Sequence, residues 1–282
     1  MVGDVGTKVV RGYVPLLRPA NCAMAALGCL LAAVVCAGVG GTSDAWLEVS
    51  LSMAIVVLFM GAGNSLNDYF DREVDRVAHP ARPIPAGLVR YSEARAISAV
   101  LFISACLLSF VAGPWFVVIV VTSMVFMVLY EAFLKSEGFA GNLAIAWLTG
   151  ALFLFGGAAV DSMSIAWVLA LLAFLATLGR EVIKDIQDLE GDSMSRRTLP
   201  MRLGRRNAGL VACAALSGAV MLSPAPYLLD LLSVWYLPVV LVADGIFIYS
   251  ALIHFEKPEM GQKMAKLGMF AALVAFLLGG VF

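Results

Sequence analysis

The chain has 282 residues, of which 61% are hydrophobic and only 14% are charged, and its mean hydropathy is +0.93. This composition excludes an ordinary water-soluble globular domain and predicts a single integral membrane domain. The net charge of -1 gives no reason to expect a nucleic-acid partner.

Nine apolar runs are long enough to cross a hydrocarbon layer of about 30 Å, which takes roughly 20 helical residues. The runs are continuously apolar, whereas the strands of a membrane barrel alternate with a period of two, so we predict helices. The first run lacks a clear cleavage site and is expected to be a retained helix. In chain order the predicted spans are 19–40, 47–67, 93–112, 115–134, 140–160, 163–184, 207–224, 233–253 and 264–282. The sequence therefore predicts an all-α, polytopic membrane protein.

The basic residues predict how these helices are oriented. All 19 Lys and Arg residues precede helix 1 or lie between, or in the adjoining ends of, helices 2 and 3, 4 and 5, 6 and 7, or 8 and 9. Cytoplasmic loops collect Lys and Arg. We therefore expect a multi-pass protein of the cell membrane with a cytoplasmic N-terminus and an external C-terminus.

Two aspartate triplets interrupt the apolar pattern at equivalent places. Each has spacings of three and four residues and is followed by an Arg-x-x-Pro, and Asn-x-Ala-x-Ala recurs at Asn21 and Asn142. We predict duplicated four-helix halves, about 12–135 and 136–254, with a ninth helix at about 264–282, around a central cavity. The triplets are Asp68, Asp71 and Asp75, and Asp185, Asp188 and Asp192.

The triplet spacing places the carboxylates of each triplet on one face of a helix. Neighbouring negative charges repel one another, and a hard divalent cation is their natural partner. Mg²⁺ in particular links one or two carboxylates to substrate phosphates. The triplets therefore predict a site on the cytoplasmic side for Mg²⁺ and a diphosphate. The alternative is that they are merely solvated helix ends.

The first triplet also resembles a known family motif. Asn67-Asp68-Tyr69-Phe70-Asp71-Arg72-Glu73-Val74-Asp75 is similar to the N-D-x-x-D-x-x-x-D motif of the UbiA superfamily of intramembrane prenyltransferases. Asp188-x-x-x-Asp192 resembles its second motif, and the resemblance extends over nearly the whole chain. It implies a Mg²⁺-dependent enzyme that transfers an isoprenoid chain from a prenyl diphosphate to an acceptor.

Further segments resemble the branch of the superfamily that makes archaeal ether lipids: 184–192, Gly141-Asn142 and 223–227. That resemblance implies geranylgeranyl diphosphate as donor and the hydroxyl of geranylgeranylglyceryl phosphate as acceptor, among membrane lipids. An aromatic or quinone-precursor acceptor is the closest alternative. A secondary transporter is a more distant one, because repeats and intramembrane acids are also common in transporters.

The resemblance also assigns roles to residues. Asn67, Asp71, Asp188 and Lys135 are the expected catalytic residues. The expected metal ligands are Asn67, Asp68, Asp71, Asp75, Asp185, Asp188 and Asp192, with Asp68 ranked last in its triplet. The residues expected to meet phosphate oxygens are Lys135, Lys184, Arg72 and Arg82.

Five other residues are expected near substrate. Arg18 and Asn21 begin helix 1 at the depth of the triplets and are candidates to bind the acceptor, although Arg18 also suits a membrane anchor. The family often shows a Tyr-x-x-x-Lys element, whereas here four residues separate Tyr130 from Lys135. We therefore rank Lys135 above Tyr130 as a substrate-binding residue. His79 is a candidate proton carrier. Asp244 falls within a span, where a charge costs about 2.5–3.5 kcal/mol, and is expected to face the cavity or bond a neighbouring helix.

Overall fold

The computed structural model describes residues 8–189 and 198–282, and these residues contain no β-strand. Within them, nine helical stretches are long and apolar enough to cross a membrane. The all-α class and the nine predicted spans are therefore confirmed. The long helices are α1 (Pro19–Asp44), α2 (Trp46–Ala78), α3 (Tyr91–Ala112), α4 (Pro114–Ala132), α5 (Phe139–Ala159), α6 (Met163–Gln187), α7 (Arg205–Leu222), α8 (Tyr236–Ile253) and α9 (Pro258–Val281).

Helix α2 is longer than its apolar run. The predicted span ends at residue 67, whereas the helix continues to Ala78 and contains 33 residues. At 1.5 Å per residue it is about 50 Å long, well beyond the thickness of a hydrocarbon layer. Its final turns are polar, and two of their acids pair with arginines that lie outside the helix. The first aspartate triplet thus lies on a continuous helix.

A sharp break in the backbone precedes α1. A short helical segment ends at Leu17, and Arg18 then adopts the left-handed conformation, with φ 49° and ψ 70°. Pro19 explains why the helix cannot continue, since a proline disfavours the helical conformation in the residue before it. The side-chain amide of Asn64 donates to the Leu17 carbonyl at 2.8 Å and satisfies the helix end.

The described chain forms two compact units. The first contains residues 8–30 and Leu47–Ala132, and the second contains Leu31–Trp46 and the described part of Phe133–Phe282. Helix α1 therefore contributes to both. The predicted duplicated halves and the central cavity stay predictions.

In the first unit, the loop between α2 and α3 folds back on itself. The backbone N–H groups of Leu88 and Val89 both donate to the Pro83 carbonyl, at 3.0 and 3.1 Å. Val89 packs with Leu16 and Ala94 in a small buried cluster. This folding fixes the start of the loop, including Arg82, against the end of α2.

In the second unit, glycines allow helices to approach closely. A Cβ on Gly156 of α5 would lie 2.5 Å from the backbone nitrogen of Ala33 in α1. A Cβ on Gly280 of α9 would lie 2.4 Å from the Val35 carbonyl. The end of α1 thus packs against α5 and α9 at distances that only glycine permits.

The intramembrane Asp244 is bonded within the second unit. The Ser223 hydroxyl, just after α7, donates to its carboxylate at 2.6 Å, and the Tyr236 hydroxyl donates to the Ser223 carbonyl at 2.7 Å. A buried polar group is costly unless it is hydrogen-bonded. Of the two placements expected for Asp244, the described structure has the bond to a neighbouring helix.

Replacing Gly156 by Ala is expected to destabilise the fold by about 1–3 kcal/mol, because the added methyl group would meet the backbone of α1. The free energy of unfolding in detergent, measured by chemical denaturation, tests this. Gly245→Ala is the matched control, since no atom lies within 4 Å of a Cβ there. A Gly156→Ala variant as stable as this control would contradict the close packing.

Candidate active site

The first triplet lies on the last turns of α2. Asp68 and Asp75 are buried, each with 3% exposure, whereas Asp71 between them is partly exposed. The spacing of three and four residues brings all three to one side of the helix, as predicted. Because Asp68 and Asp75 are buried, the charge of each needs a nearby partner.

Two arginines supply partners for the buried acids. The guanidinium of Arg18 forms an ion pair with Asp68, and that of Arg82 forms one with Asp75 at 2.6 Å. Arg82 also lies 4.0 Å from Asp68. The two arginines reach α2 from opposite directions along the chain, one from the break before α1 and the other from the folded loop after α2.

Asn67 occupies the middle of a second set of contacts. Its amide oxygen accepts a hydrogen bond from Arg18 at 3.1 Å. Its amide nitrogen lies 3.1 Å from an Asp71 oxygen and 3.1 Å from both carboxylate oxygens of Glu131 in α4. Three carboxylate oxygens thus converge on one side of the Asn67 amide.

Arg72 is held against aromatic rings. Its guanidinium carbon lies 5.0 Å from the centre of the Tyr69 ring and 5.7 Å from that of Tyr91, and it donates to the Tyr69 carbonyl at 2.9 Å. Stacking of this kind orients a guanidinium.

His79 is exposed in the loop after α2.

The second unit carries part of the second triplet on α6. The Asn142 amide of α5 donates to an Asp185 oxygen at 2.8 Å. Asp188 follows the last residue of α6, and its backbone N–H donates to the Lys184 carbonyl at 2.9 Å. Both Lys184 and Asp188 are partly exposed. The predicted ligand Asp192 lies outside the described residues.

A further charged pair precedes these residues on α6. Arg180 and Glu181 form an ion pair and are both largely buried. Their mutual neutralisation explains how two charged side chains are tolerated there. Sequence analysis counted Arg180 only as a topological charge and passed over Glu181.

The remaining candidates are spread over the described chain. Tyr130, near the end of α4, is partly exposed, and Lys135 lies on a short 3₁₀ segment, Leu134–Ser136, after it. Asn21 is in the first turn of α1, and its backbone N–H donates to the Arg18 carbonyl at 2.9 Å. In the described structure, the first unit therefore joins Arg18, Asn67, Asp68, Asp71, Asp75 and Arg82 in one network of contacts.

Glu131 is the residue that sequence analysis missed in this network. It lies 64 positions from Asn67 in sequence, within an apolar helix, and is only 8% exposed. A buried acid in an apolar helix is itself a signal, because an ionised side chain there requires a partner.

The donor set of the first unit suits a hard cation. In the described residues, no group of three or more His, Cys, Asp or Glu side chains is placed so that it could hold a metal ion. The network around Asn67 instead combines an amide with two carboxylates, and oxygen atoms of these types are the ligands that Mg²⁺ takes in proteins. The residues present therefore fit the predicted metal.

These features define a multi-pass membrane protein with acidic and basic side chains gathered at the ends of apolar helices. The family model for the UbiA prenyltransferase family matches residues 26–274. The chain belongs to the UbiA prenyltransferase family and is a prenyltransferase, which excludes the transporter alternative.

Particular relatives are similar over nearly the whole chain. A digeranylgeranylglyceryl phosphate synthase of Methanosphaera stadtmanae is 36% identical over 275 residues, covering 95% of this chain and 99% of the relative. A solved structure described as digeranylgeranylglyceryl phosphate synthase is 32% identical, with a TM-score of 0.89, covering 97% of this chain and 99% of that one.

A more distant structure supports the fold alone. It is a UbiA homologue from Archaeoglobus fulgidus, bound to GPP and Mg²⁺, which is 15% identical with a TM-score of 0.62. The match covers 95% of this chain and 99% of that one. At this level of identity the shared helical architecture is established, and residue roles are not transferred by it.

The Arg18–Asp68 pair should show a strong energetic coupling, because Asp68 is almost fully buried. A double-mutant cycle with Arg18→Met and Asp68→Asn is expected to give a coupling free energy of about 1–2 kcal/mol in chemical denaturation in detergent. The exposed Arg76–Glu73 pair on the same helix is the control. We expect less than about 0.5 kcal/mol there. Equal couplings for the two pairs would contradict the importance of burial.

Proposed function

We propose that this chain transfers a geranylgeranyl group from geranylgeranyl diphosphate to the free hydroxyl of geranylgeranylglyceryl phosphate. The product carries the second ether bond of an archaeal membrane lipid. The observation that carries this proposal is the similarity to digeranylgeranylglyceryl phosphate synthases over nearly the full length of both chains. An aromatic acceptor is not favoured, because the two similar proteins described above are named for the glyceryl phosphate product.

The proposed cofactor is Mg²⁺, which would neutralise the diphosphate leaving group. Support comes from the oxygen donors gathered around Asn67 and from the Mg²⁺ that the Archaeoglobus fulgidus homologue binds. In the first unit we propose Asn67 and Asp71 as the principal ligands. In the second we propose Asp188, with Asp185 beside it and Asp192 assigned from the sequence motif.

The role that we propose for Asp68 and Asp75 differs from that of Asp71. Their described contacts are with Arg18 and Arg82, so their charges hold these guanidinium groups in place. A guanidinium fixed by one carboxylate still has N–H groups with which to bind phosphate oxygens. We therefore propose that Asp68 and Asp75 act mainly by orienting arginines and rank below Asp71 as metal ligands.

Other side chains would contact the substrates. Arg82, Arg72, Lys135 and Lys184 are proposed to bind phosphate oxygens as negative charge develops on the leaving group. Four further residues are assigned to substrate binding from the sequence: Asn21, Tyr130, His79 and Asp244. For Asp244 we propose an indirect contribution through the packing of α7 against α8, since its described hydrogen bond is to Ser223.

The reaction breaks the allylic bond between C1 of the donor and its diphosphate oxygen, and the diphosphate leaves with the electron pair. The acceptor hydroxyl oxygen then bonds to C1 and releases its proton. An allylic cation is reactive enough for a neutral hydroxyl to attack it. The main task of the protein is therefore to stabilise the leaving group and to orient the two lipids.

The orientation that we propose for the chain in the membrane follows from the distribution of its Lys and Arg residues. With every Lys and Arg on one side, the N-terminus is cytoplasmic and the C-terminus is external. Both triplets then lie on the cytoplasmic side, where water-soluble diphosphate is released.

Asp71→Ala and Asp188→Ala are each expected to lower the rate of diphosphate release at least about 100-fold, because each removes a proposed Mg²⁺ ligand. Release is measured with purified protein, geranylgeranyl diphosphate and acceptor, and it should stop when EDTA removes Mg²⁺. Glu259→Ala, which removes an exposed acid of α9 that pairs with the exposed Lys263, is the control and should retain activity. Mg²⁺-dependent release that persists in both aspartate variants would overturn the proposed site.

Mass spectrometry of the product tests the acceptor. With labelled geranylgeranyl diphosphate, we expect digeranylgeranylglyceryl phosphate to form from the glyceryl phosphate acceptor and no prenylated product from an aromatic acid such as 4-hydroxybenzoate. Prenylation of the aromatic acid without reaction of the glyceryl phosphate would leave the enzyme class intact but refute the proposed acceptor.

A further inference from the structure

The polar face of α6 continues further into the apolar span than the second triplet. Thr177, Arg180 and Glu181 precede Asp185, and their spacings of three and four residues place them on the side of the helix that carries Asp185 and Asp188. The opposite side of α6 is apolar and packs with α7 in a buried cluster. At 1.5 Å per residue, Arg180 lies about 7–8 Å further along the helix axis than Asp185. We call Thr177, Arg180 and Glu181 the inner strip.

Arg180 has more donors than the described residues satisfy. A guanidinium carries five N–H groups. Among the described residues, the one acceptor that it meets is a carboxylate oxygen of Glu181. The Arg180 side chain is only 19% exposed, so little water reaches the other N–H groups from the surface. A guanidinium held by one carboxylate can still bind phosphate oxygens with its remaining N–H groups.

Thr177 is a second polar group without a partner. It is 1% exposed, and its hydroxyl makes no hydrogen bond within the described part of the chain. Thr122 and Thr149, also in apolar helices, each donate to the carbonyl four residues earlier. A buried hydroxyl without a hydrogen bond is costly. A ligand oxygen beside Thr177 would remove that cost.

The inner strip therefore suits a ligand with an anionic group near Arg180 and a neutral oxygen one turn deeper. The lipid acceptor of the proposed reaction has these groups in this order. Its glycerol carries a phosphate, a free hydroxyl and an ether oxygen that leads to an apolar tail. The three residues from Arg180 to Thr177 span about 4.5 Å along the axis, which is the scale of a three-carbon glycerol.

We propose that the inner strip binds the head of the lipid acceptor, with Arg180 on its phosphate and Thr177 on its ether oxygen. Glu181 holds the guanidinium in place. The inference rests on the proposed function for the identity of the acceptor. Lys184, one turn from Arg180, stays with the diphosphate of the donor. The two phosphorylated substrates then lie side by side, which brings the acceptor hydroxyl towards C1 of the donor.

The test compares two acceptors. One is geranylgeranylglyceryl phosphate, and the other is an analogue in which a methyl ether replaces the phosphate while the free hydroxyl and the tail stay the same. Removing Arg180 alone would leave Glu181 buried without a partner, so the double variant Arg180→Gln/Glu181→Gln is used. We measure kcat/KM for each acceptor with the purified full chain, Mg²⁺ and saturating geranylgeranyl diphosphate.

The double variant is expected to lower kcat/KM for the phosphate acceptor about 10- to 100-fold, because it removes hydrogen bonds to a charged group. For the analogue, which has no phosphate to lose, kcat/KM should change less than about twofold. The KM for the donor should stay the same, because Lys184 and the second triplet are intact. The matched control is Arg206→Gln, which removes an exposed arginine from the first turn of α7 and should leave both acceptors unaffected.

Arg180→Lys keeps the test decisive if the double variant does not fold. Lysine preserves the charge beside Glu181 but lacks the planar fork that binds two phosphate oxygens, so kcat/KM should fall about fivefold for the phosphate acceptor alone. An equal fall for the two acceptors, in this variant or in the double variant, would show that Arg180 does not read the phosphate and would overturn the inference.

Thr177→Val tests the deeper end of the strip. It removes the hydroxyl at nearly constant volume and leaves no unpaired polar atom, so the thermal midpoint should not fall. Both acceptors carry the ether oxygen, and the KM of each should rise about three- to tenfold. An unchanged KM for both would refute the placement of the glycerol along α6.

Two results separate this inference from the proposed function. If the wild-type chain prefers the phosphate acceptor and the double variant keeps that preference, the proposed function stands and the inference alone fails. If the wild-type chain does not prenylate the glyceryl phosphate at all, the proposed acceptor is wrong and the inference fails with it.

Discussion

The ion pairs of Asp68 with Arg18 and of Asp75 with Arg82 are the interactions on which the first unit depends. Burying a carboxylate without a partner costs several kcal/mol, so the polar end of α2 requires these cations. Arg18 reaches Asp68 because the backbone breaks before Pro19, and Arg82 reaches Asp75 because its loop folds back. Two irregular pieces of backbone therefore each place an arginine beside a buried acid.

The first acid of each triplet has a comparable environment in its own unit. Asp68 is bonded by Arg18, just before α1, and Asp185 is bonded by Asn142, in the first turn of α5. In each case the donor comes from the beginning of the first helix of a predicted half. The two donors are not equivalent positions of the predicted repeat, in which Asn142 corresponds to Asn21, so the duplicated halves stay a prediction.

Much of the fold was predictable from hydropathy, because a span must be apolar over a length set by the bilayer. The end of α2 was not, since hydropathy detects the apolar part of a helix and misses a polar extension such as the one to Ala78. The acids of the site were predictable because their spacing is local. Their partners were not: the contacts of Asn67 with Glu131 and of Asp68 with Arg18 join residues 64 and 50 positions apart. Such pairings depend on tertiary packing, which spacing does not encode.

The length of α2 also bears on how a lipid substrate is handled. A helix of about 50 Å in a hydrocarbon layer of about 30 Å must extend into the polar layer, and the acidic motif occupies its polar end. An isoprenoid diphosphate has the same division, with a charged head and a long apolar tail. Extracting such a tail into water would cost about 0.8 kcal/mol for each methylene-sized group. An enzyme with its charged groups at this level avoids that cost, because the donor reacts while its tail remains in an apolar medium.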